Sequence, residues 1–344
     1  MPVSRRRGLA LLALAWLAGC ASPYVQTPGA ATRPPEIIAA TNPGLSVETA
    51  DGARLPLRHW SATNESGAPV PPRTVVIALH GFNDYSNAFK EPAPWWGRRG
   101  VATYAYDQRG FGAAPEPGRW ATPEQLAADL AAVARLVGAR HPGVPIVLLG
   151  DSMGGAVTLV ALADPAIDWT ALGVTGAILV APAVWGGETL NPFYRLMLWF
   201  AAHTVPGEIV TGRGLNITPS DNIEMLRELG RDPLVIKQTR IDAVYGLVRL
   251  MDRALAASAK VRLPLLVMYG ERDEIIPRRP TAAMAAQLHE GTRTVVYPEG
   301  YHMVLRDLGA ATAWADALAW IADAKAPLPS GAERRRDALF ERSR

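Results

Sequence analysis

One ten-residue stretch constrains this chain more than any other. Residues 146–155 read Ile-Val-Leu-Leu-Gly-Asp-Ser-Met-Gly-Gly. An apolar run stops at Gly150, a serine follows at position 152, and beyond two glycines residues 156–163 can form a helix. A serine between a buried strand and a helix stands at a sharp turn, in a strained backbone conformation. The positions two before and two after it must then be nearly free of side chain, and Gly150 and Gly154 meet that need. A helix that starts there aims its free N–H groups and its positive end at an oxygen that becomes negative during acyl transfer. Gly-x-Ser-x-Gly is the pattern of a nucleophile elbow. In a chain of 344 residues with 31 glycines, it arises by chance about 0.1 times. Its meaning therefore depends on partners elsewhere.

Around this stretch the chain alternates. Apolar runs at 74–79, 101–106, 146–149, 177–180, 265–269 and 294–297 predict buried parallel strands. Asp51-Gly52, between 45–49 and 54–60, predicts a hairpin before them. Thr122-Pro123-Glu124-Gln125 predicts a capped helix start, followed by Leu126, Leu130, Val133 and Val137 on one stripe. Residues 281–288 predict another helix, and Ala311, Trp314, Leu318 and Ile321 a closing one. This pattern is an α/β fold with a mostly parallel eight-stranded sheet and helices on both faces. Sites in such sheets lie at the carboxyl ends of the strands.

Between 183 and 262 the alternation breaks. Ile223, Leu226 and Leu229 suggest a short helix, and Ile241 to Leu255 a longer amphipathic one. This reads as a helical lid. Its aromatic residues, Trp185, Phe193, Tyr194, Trp199 and Phe200, either line an acyl channel or pack the lid onto the core. The expected organisation is a leader at 1–19, a tether at 20–44, core at 45–182, lid at 183–262, core again at 263–325, and a disordered tail at 326–344.

The leader joins Arg5, Arg6 and Arg7 to an apolar stretch too short to span a bilayer. Without it, 32 basic face 32 acidic side chains, so charge gives no reason to expect nucleic acid as a partner. Cys20 is the only cysteine, which excludes an internal disulfide and a cysteine-based metal site. Leu17-Ala18-Gly19-Cys20 resembles the lipobox of bacterial lipoproteins. The resemblance implies cleavage before Cys20, lipidation of it, and, with Ala21 next, an outer-membrane location facing the periplasm.

Three residues fall at strand C-termini in the order Ser152, Asp273, His302, the order of α/β-hydrolases. A serine hydroxyl is a poor nucleophile and needs a base with a pKa near 7. His302 fits that role, and Asp273 would hold its tautomer. The rival acids are Glu271, Glu274 and Asp107; the last is expected to pair with Arg109 and pin its own loop. His80 follows a strand but precedes the elbow, and is placed to shape the loop beneath the site. The oxyanion donors expected are the backbone N–H groups of Met153 and Phe82. No His, Asp or Glu cluster has metal-ligand spacing, and no cofactor is implied.

His80-Gly81-Phe82, Asp107-Gln108-Arg109-Gly110-Phe111-Gly112, Gly150-Asp151-Ser152-Met153-Gly154-Gly155, Gly270-Glu271-Arg272-Asp273 and Gly300-Tyr301-His302 together resemble the α/β-hydrolase superfamily. Within it they are similar to the monoacylglycerol lipase and lysophospholipase branch, of the serine aminopeptidase S33 type. The resemblance implies a serine esterase acting on lipid-like esters through an acyl-enzyme on Ser152. Peptidases and C–C hydrolases share the scaffold, and a non-catalytic lipid-binding lipoprotein is the reading from another class. Asp151 and Phe111 stand where histidines are common in this branch, and both bear on substrate class.

Overall fold

The computed structural model describes residues 21–41, 44–186, 189–212, 214 and 216–335. The leader, Cys20 and the last nine positions of the expected tail lie outside them. A ten-stranded sheet organises the chain. Its strands are β1 (Glu36–Ala39), β2 (Leu45–Glu48), β3 (Arg54–Trp60), β4 (Thr74–Leu79), β5 (Val101–Tyr106), β6 (Ile146–Asp151), β7 (Val174–Val180), β10 (Leu265–Gly270), β11 (Arg293–Tyr297) and β12 (Glu333–Arg334). The spatial order is β1-β2-β3-β5-β4-β6-β7-β10-β11-β12. The run from β5 to β11 is parallel, and the strands beyond it at each end pair antiparallel.

The central strands are apolar throughout because both faces are covered. Val75, Ile77 and Leu79 enter one core with Leu148, Leu179 and Val267. Val76 and Ala78 enter the other with Val147, Ile178 and Met268. The first core is closed by helices α2 (Pro123–Arg140) and α3 (Met153–Leu162), and the second by α1 (Pro92–Gly97) and α8 (Ala310–Ala322). Thr122 caps α2 as expected: its hydroxyl accepts from the Gln125 backbone, and the Gln125 side chain returns the bond. Between β7 and β10 run α4 (Pro192–Thr204), a small ribbon of β8 (Ile209–Val210) and β9 (Thr239–Arg240), α5 (Ile223–Arg231) and α6 (Ile241–Ser258). Helix α7 (Arg278–Gln287) joins β10 to β11.

Three expected boundaries change. Residues 21–41 are not a free tether. Gln26 is buried, with its N–H donating to the Trp120 carbonyl and its side-chain amide to that of Arg119, while β1 adds to the sheet edge on β2. Residues 326–335 are not a disordered tail. Leu328 is buried, β12 pairs with β11, and Arg293 holds Glu333 at 2.7 Å. Both segments have loop-like composition, and their strands form because a neighbouring sheet edge supplies the missing partners. The lid is also shorter than 183–262. Helix α6 packs on α3 with Leu250 and Ala254 fully buried, so it is a core layer.

Candidate active site

Strand β6 ends at the elbow, and the sharp turn is visible in the backbone. Ser152 has φ 51° and ψ −111°, a left-handed conformation costly for a residue with a Cβ. Its N–H donates to the Val180 carbonyl at 2.9 Å, and its carbonyl accepts from Ala183 at 2.9 Å and Gly155 at 3.0 Å. The glycines are required by contact. A Cβ at Gly150 would stand 2.5 Å from the Gly154 carbonyl oxygen, and one at Gly154 would run into the carbonyl of Leu79.

Two loops from the far side of the sheet reach the serine. His302, on the loop after β11, places Nε2 3.0 Å from Ser152 Oγ. Its Nδ1 lies 2.8 Å from Asp273 Oδ2, on the loop after β10. An ionised carboxylate only accepts, so Nδ1 carries the proton and Nε2 presents its lone pair to the hydroxyl. Asp273 Oδ1 accepts from the backbone N–H groups of Ile275 (2.8 Å) and Ile276 (2.9 Å), which aim the carboxylate. Burial disfavours a charged His302, but the hydrogen bond and charge of Asp273, with Asp151 adding, outweigh it and raise its pKa above the ordinary 6.5. The loop is held by Asp307, whose carboxylate accepts from Tyr301 N–H (2.8 Å) and from Ser220 of the lid (2.6 Å).

The loop after β4 lies against the nucleophile. A Cβ on Gly81 would be 3.3 Å from Ser152 Cβ. The backbone N–H groups of Phe82 and Met153 meet no acceptor among the described residues. The Phe82 ring meanwhile packs edge-on to Phe111 at 5.5 Å, so the residue serves packing through its side chain and leaves its backbone donor free. His80 ties this loop to the next. Its Nε2 accepts from Gln108 N–H at 2.9 Å, so its Nδ1–H donates to Gly81 O at 2.8 Å, and burial pushes its pKa down. Among the described residues, no group of three His, Cys, Asp or Glu side chains is placed to hold a metal ion.

Residues 70–309 match the sequence family described as serine aminopeptidase S33 (Hydrolase_4). The chain belongs to that family. A monoacylglycerol lipase of Mycolicibacterium smegmatis is 25% identical over 303 residues, covering 83% of this chain and 99% of the relative. The rat monoglyceride lipase is 24% identical over 263 residues, covering 75% and 83%. Among solved structures, a soluble variant of the Saccharomyces cerevisiae monoglyceride lipase superposes with TM-score 0.67 at 18% identity, covering 88% of this chain and 98% of that one. The monoacylglycerol lipase of Paleococcus ferrophilus gives 0.61 at 19% identity, covering 78% and 98%. These likenesses establish an α/β-hydrolase fold.

In this S33-family chain the serine opens into a cavity of about 340 Å³ lined by both apolar and charged side chains. Trp185, Leu247, Met251, Ile275 and Ile276 supply apolar lining. Asp84, Asp151 and Arg306 supply charged lining. The Arg306 side chain is 9% exposed, with Nη2 2.7 Å from Asp84 Oδ2 and 3.9 Å from Asp151 Oδ2. Burial raises the Asp151 carboxyl to about 6, against the lowering effect of Arg306. Sequence reasoning had singled out Asp151 only as a departure, and missed Asp84 and Arg306. The available signal was the position of Arg306 on the His302 loop. A second cavity, of about 420 Å³, lies between α5 and the start of α8 and shares the Asp84–Arg306 pair as its wall.

Two expectations about side chains are corrected. Asp107 does not pair with Arg109. Its oxygens accept from the backbone N–H groups of Ser86 and Ala113, both at 2.9 Å. Arg109 turns the other way, its Nε 2.6 Å from Asp129 and its two Nη 2.8 and 2.7 Å from Asp51. Of the lid aromatics, Trp185 alone borders the catalytic cavity. Phe193, Tyr194, Trp199 and Phe200 do not line it, and they are 61, 65, 47 and 41% exposed.

Proposed function

We propose that this hydrolase of the lipase and esterase type cleaves monoacyl esters of glycerol through an acyl-enzyme on Ser152. The observation that carries the reading is the Ser152–His302–Asp273 relay opening into a cavity whose lining joins apolar side chains to the Asp84, Asp151 and Arg306 cluster. His302 Nε2 takes the serine proton as Oγ attacks the ester carbonyl. The resulting oxyanion falls to the N–H groups of Phe82 and Met153. His302 then returns the proton to the departing alcohol, and a water activated the same way releases the fatty acid. The acyl chain lies along Trp185, Leu247 and Met251, and the alcohol faces Asp84, Asp151 and Arg306. Two carboxylates around one guanidinium repel a phosphate and suit the hydroxyls of glycerol. This favours a monoacylglycerol over a lysophospholipid, and the names of the relatives support the same choice.

A panel of monoacylglycerols, lysophospholipids and peptide amides tests the reading. Turnover is expected on the first class, and amide cleavage without ester cleavage would overturn it. The same assay carries a pH test. His302 acts only when unprotonated and its pKa lies above 6.5, so kcat/KM rises with pH through a limb above that value. Asp273→Asn removes what raises the pKa. It is expected to move the limb to lower pH and to cut kcat by about 10³- to 10⁴-fold.

The lipobox-like run ending at Cys20 supports a second part of the proposal, that the mature chain is exported and lipid-anchored at an outer membrane. Metabolic labelling with palmitate is expected to mark the wild-type chain and to miss Cys20→Ser. An unlabelled wild type would refute the anchor.

A further inference from the structure

The loop that carries the oxyanion donor is held unevenly. Asn83 is fixed twice, its side-chain amide donating to Thr239 Oγ1 at 2.7 Å and its carbonyl accepting from Ile236 N–H at 2.9 Å. Phe82, one residue earlier, makes no backbone hydrogen bond among the described residues. A donor that keeps its N–H free for an oxyanion is positioned through its side chain and its neighbours instead. The Phe82 ring meets two others, Phe111 edge-on at 5.5 Å and Trp120 at 6.2 Å.

Trp120 is buried and touches a second wall of the site. Its indole lies on Gly246 of α6, where a Cβ would stand 2.4 Å from the ring. Leu247, the next residue, and Met251 line the catalytic cavity. The indole therefore spaces α6 from the oxyanion loop. Trp120 itself sits on the irregular chain between β5 and α2, and the N-terminal segment fixes it from outside. Gln26 N–H donates to the Trp120 carbonyl and Gln26 Nε2 to the Arg119 carbonyl, both at 2.8 Å. The Tyr24 ring lies 4.4 Å from the Arg119 guanidinium, and its hydroxyl donates to the Glu116 carboxylate. Tyr24 N–H donates to Asp242 Oδ2, at the start of α6, at 3.2 Å. Residues 24–26 thus cross from the Trp120 loop to α6, the same two elements that the indole separates. Gln26 is buried, and a buried amide is costly unless paired, so its bonds hold the crossing in one place.

We infer that Gln26 and Trp120 are positioning residues for ester hydrolysis: Gln26 fixes Trp120, and Trp120 sets the place of the Phe82 N–H and its distance from the α6 wall. The inference rests on the reading of Phe82 as an oxyanion donor. A displacement of about 1 Å in such a group costs about 10²-fold in rate, so a brace that never touches substrate still acts on kcat. The segment next to Cys20 is then part of the catalytic frame.

The test uses the full chain with Gln26→Ala and, separately, Trp120→Phe. Val25→Ser is the control, since Val25 is 40% exposed beside the braced residue. On a soluble short-chain ester, each of the first two is expected to lose about tenfold in kcat at unchanged KM, and the control to lose nothing. The pH limb set by His302 is expected to stay in place, because neither residue touches the triad. Amide hydrogen exchange, read by mass spectrometry, is expected to quicken in peptides covering 80–86 and 107–122 and to stay the same over 300–308. A merely structural role would lower the unfolding midpoint and spare the kcat of the folded variant, so an unchanged kcat in either variant overturns the inference. Unchanged exchange at 80–86 also overturns it, as does a shifted pH limb, which would place the damage at the triad. A wild-type chain without ester turnover would fail the hydrolase reading instead, and exchange at 80–86 would still decide whether the brace holds the loop.

Discussion

Ser152→Ala is expected to lower ester turnover by about 10³-fold or more and to abolish labelling by a fluorophosphonate probe. The fold should survive, because the hydroxyl's hydrogen bond among the described residues is to His302 Nε2 at 3.0 Å and alanine keeps the Cβ. The elbow itself is held by backbone bonds to Val180, Ala183 and Gly155, which the substitution leaves alone. What is lost is the atom that forms the acyl-enzyme, and water is a poor replacement without its position. Residual activity from the oxyanion donors is expected to remain above the uncatalysed rate. Hydrolysis at wild-type rates in the purified variant would show that the nucleophile is elsewhere.

The second large effect is on stability. Arg109 reaches two carboxylates from separate parts of the chain, Asp51 in the β2–β3 turn and Asp129 in α2. Arg109 and Asp129 are buried. Arg109→Ala leaves two carboxylates facing a site with no cation, and removing one partner of a buried pair costs about 3–5 kcal/mol. Denaturant unfolding of the variant is expected to show a loss of that size, with Arg109→Lys recovering only part, since an ammonium cannot reproduce the planar fork. The pH dependence has a definite sign. Hydrogen bonds from Arg109 hold Asp51 at about 2, below the ordinary 3.8. Its contribution is full above 3.8 and is lost as pH falls through about 2. The alanine variant should lose that part of the acid limb. An unchanged midpoint would mean that the network is solvated and weak.

Much of the site was legible because its signals are local. A nucleophile elbow needs glycines at fixed offsets, and Gly150 and Gly154 are in contact with the backbone that demands them. A buried parallel strand must be apolar along its length, so the strands leading to Ser152, Asp273 and His302 could be read in order. Pairings between distant segments could not be read this way. Arg109 has Asp107 two residues away, yet its partners are 58 and 20 residues distant in the chain. Arg306 and Asp84 meet across the whole of the parallel sheet's sequence. Strands β1 and β12 have no pattern of their own and exist because β2 and β11 offer an edge.

The apolar stripe of α4 shows the division most plainly. Its spacing is written in the residues. Which way it faces is not, because periodicity fixes the relation of side chains to one another and says nothing about what lies on either side of the helix. The sequence by itself determined the fold class, the elbow and the residues available to serve as acid, base and nucleophile. Only the tertiary structure decided that His302 and Asp273 come within hydrogen-bond reach, that Arg306 is shared between Asp84 and Asp151, and that the aromatic face of the lid points away from the cavity. Each of these depends on distances between segments far apart in the chain, which packing of the whole sheet and its helices sets at once.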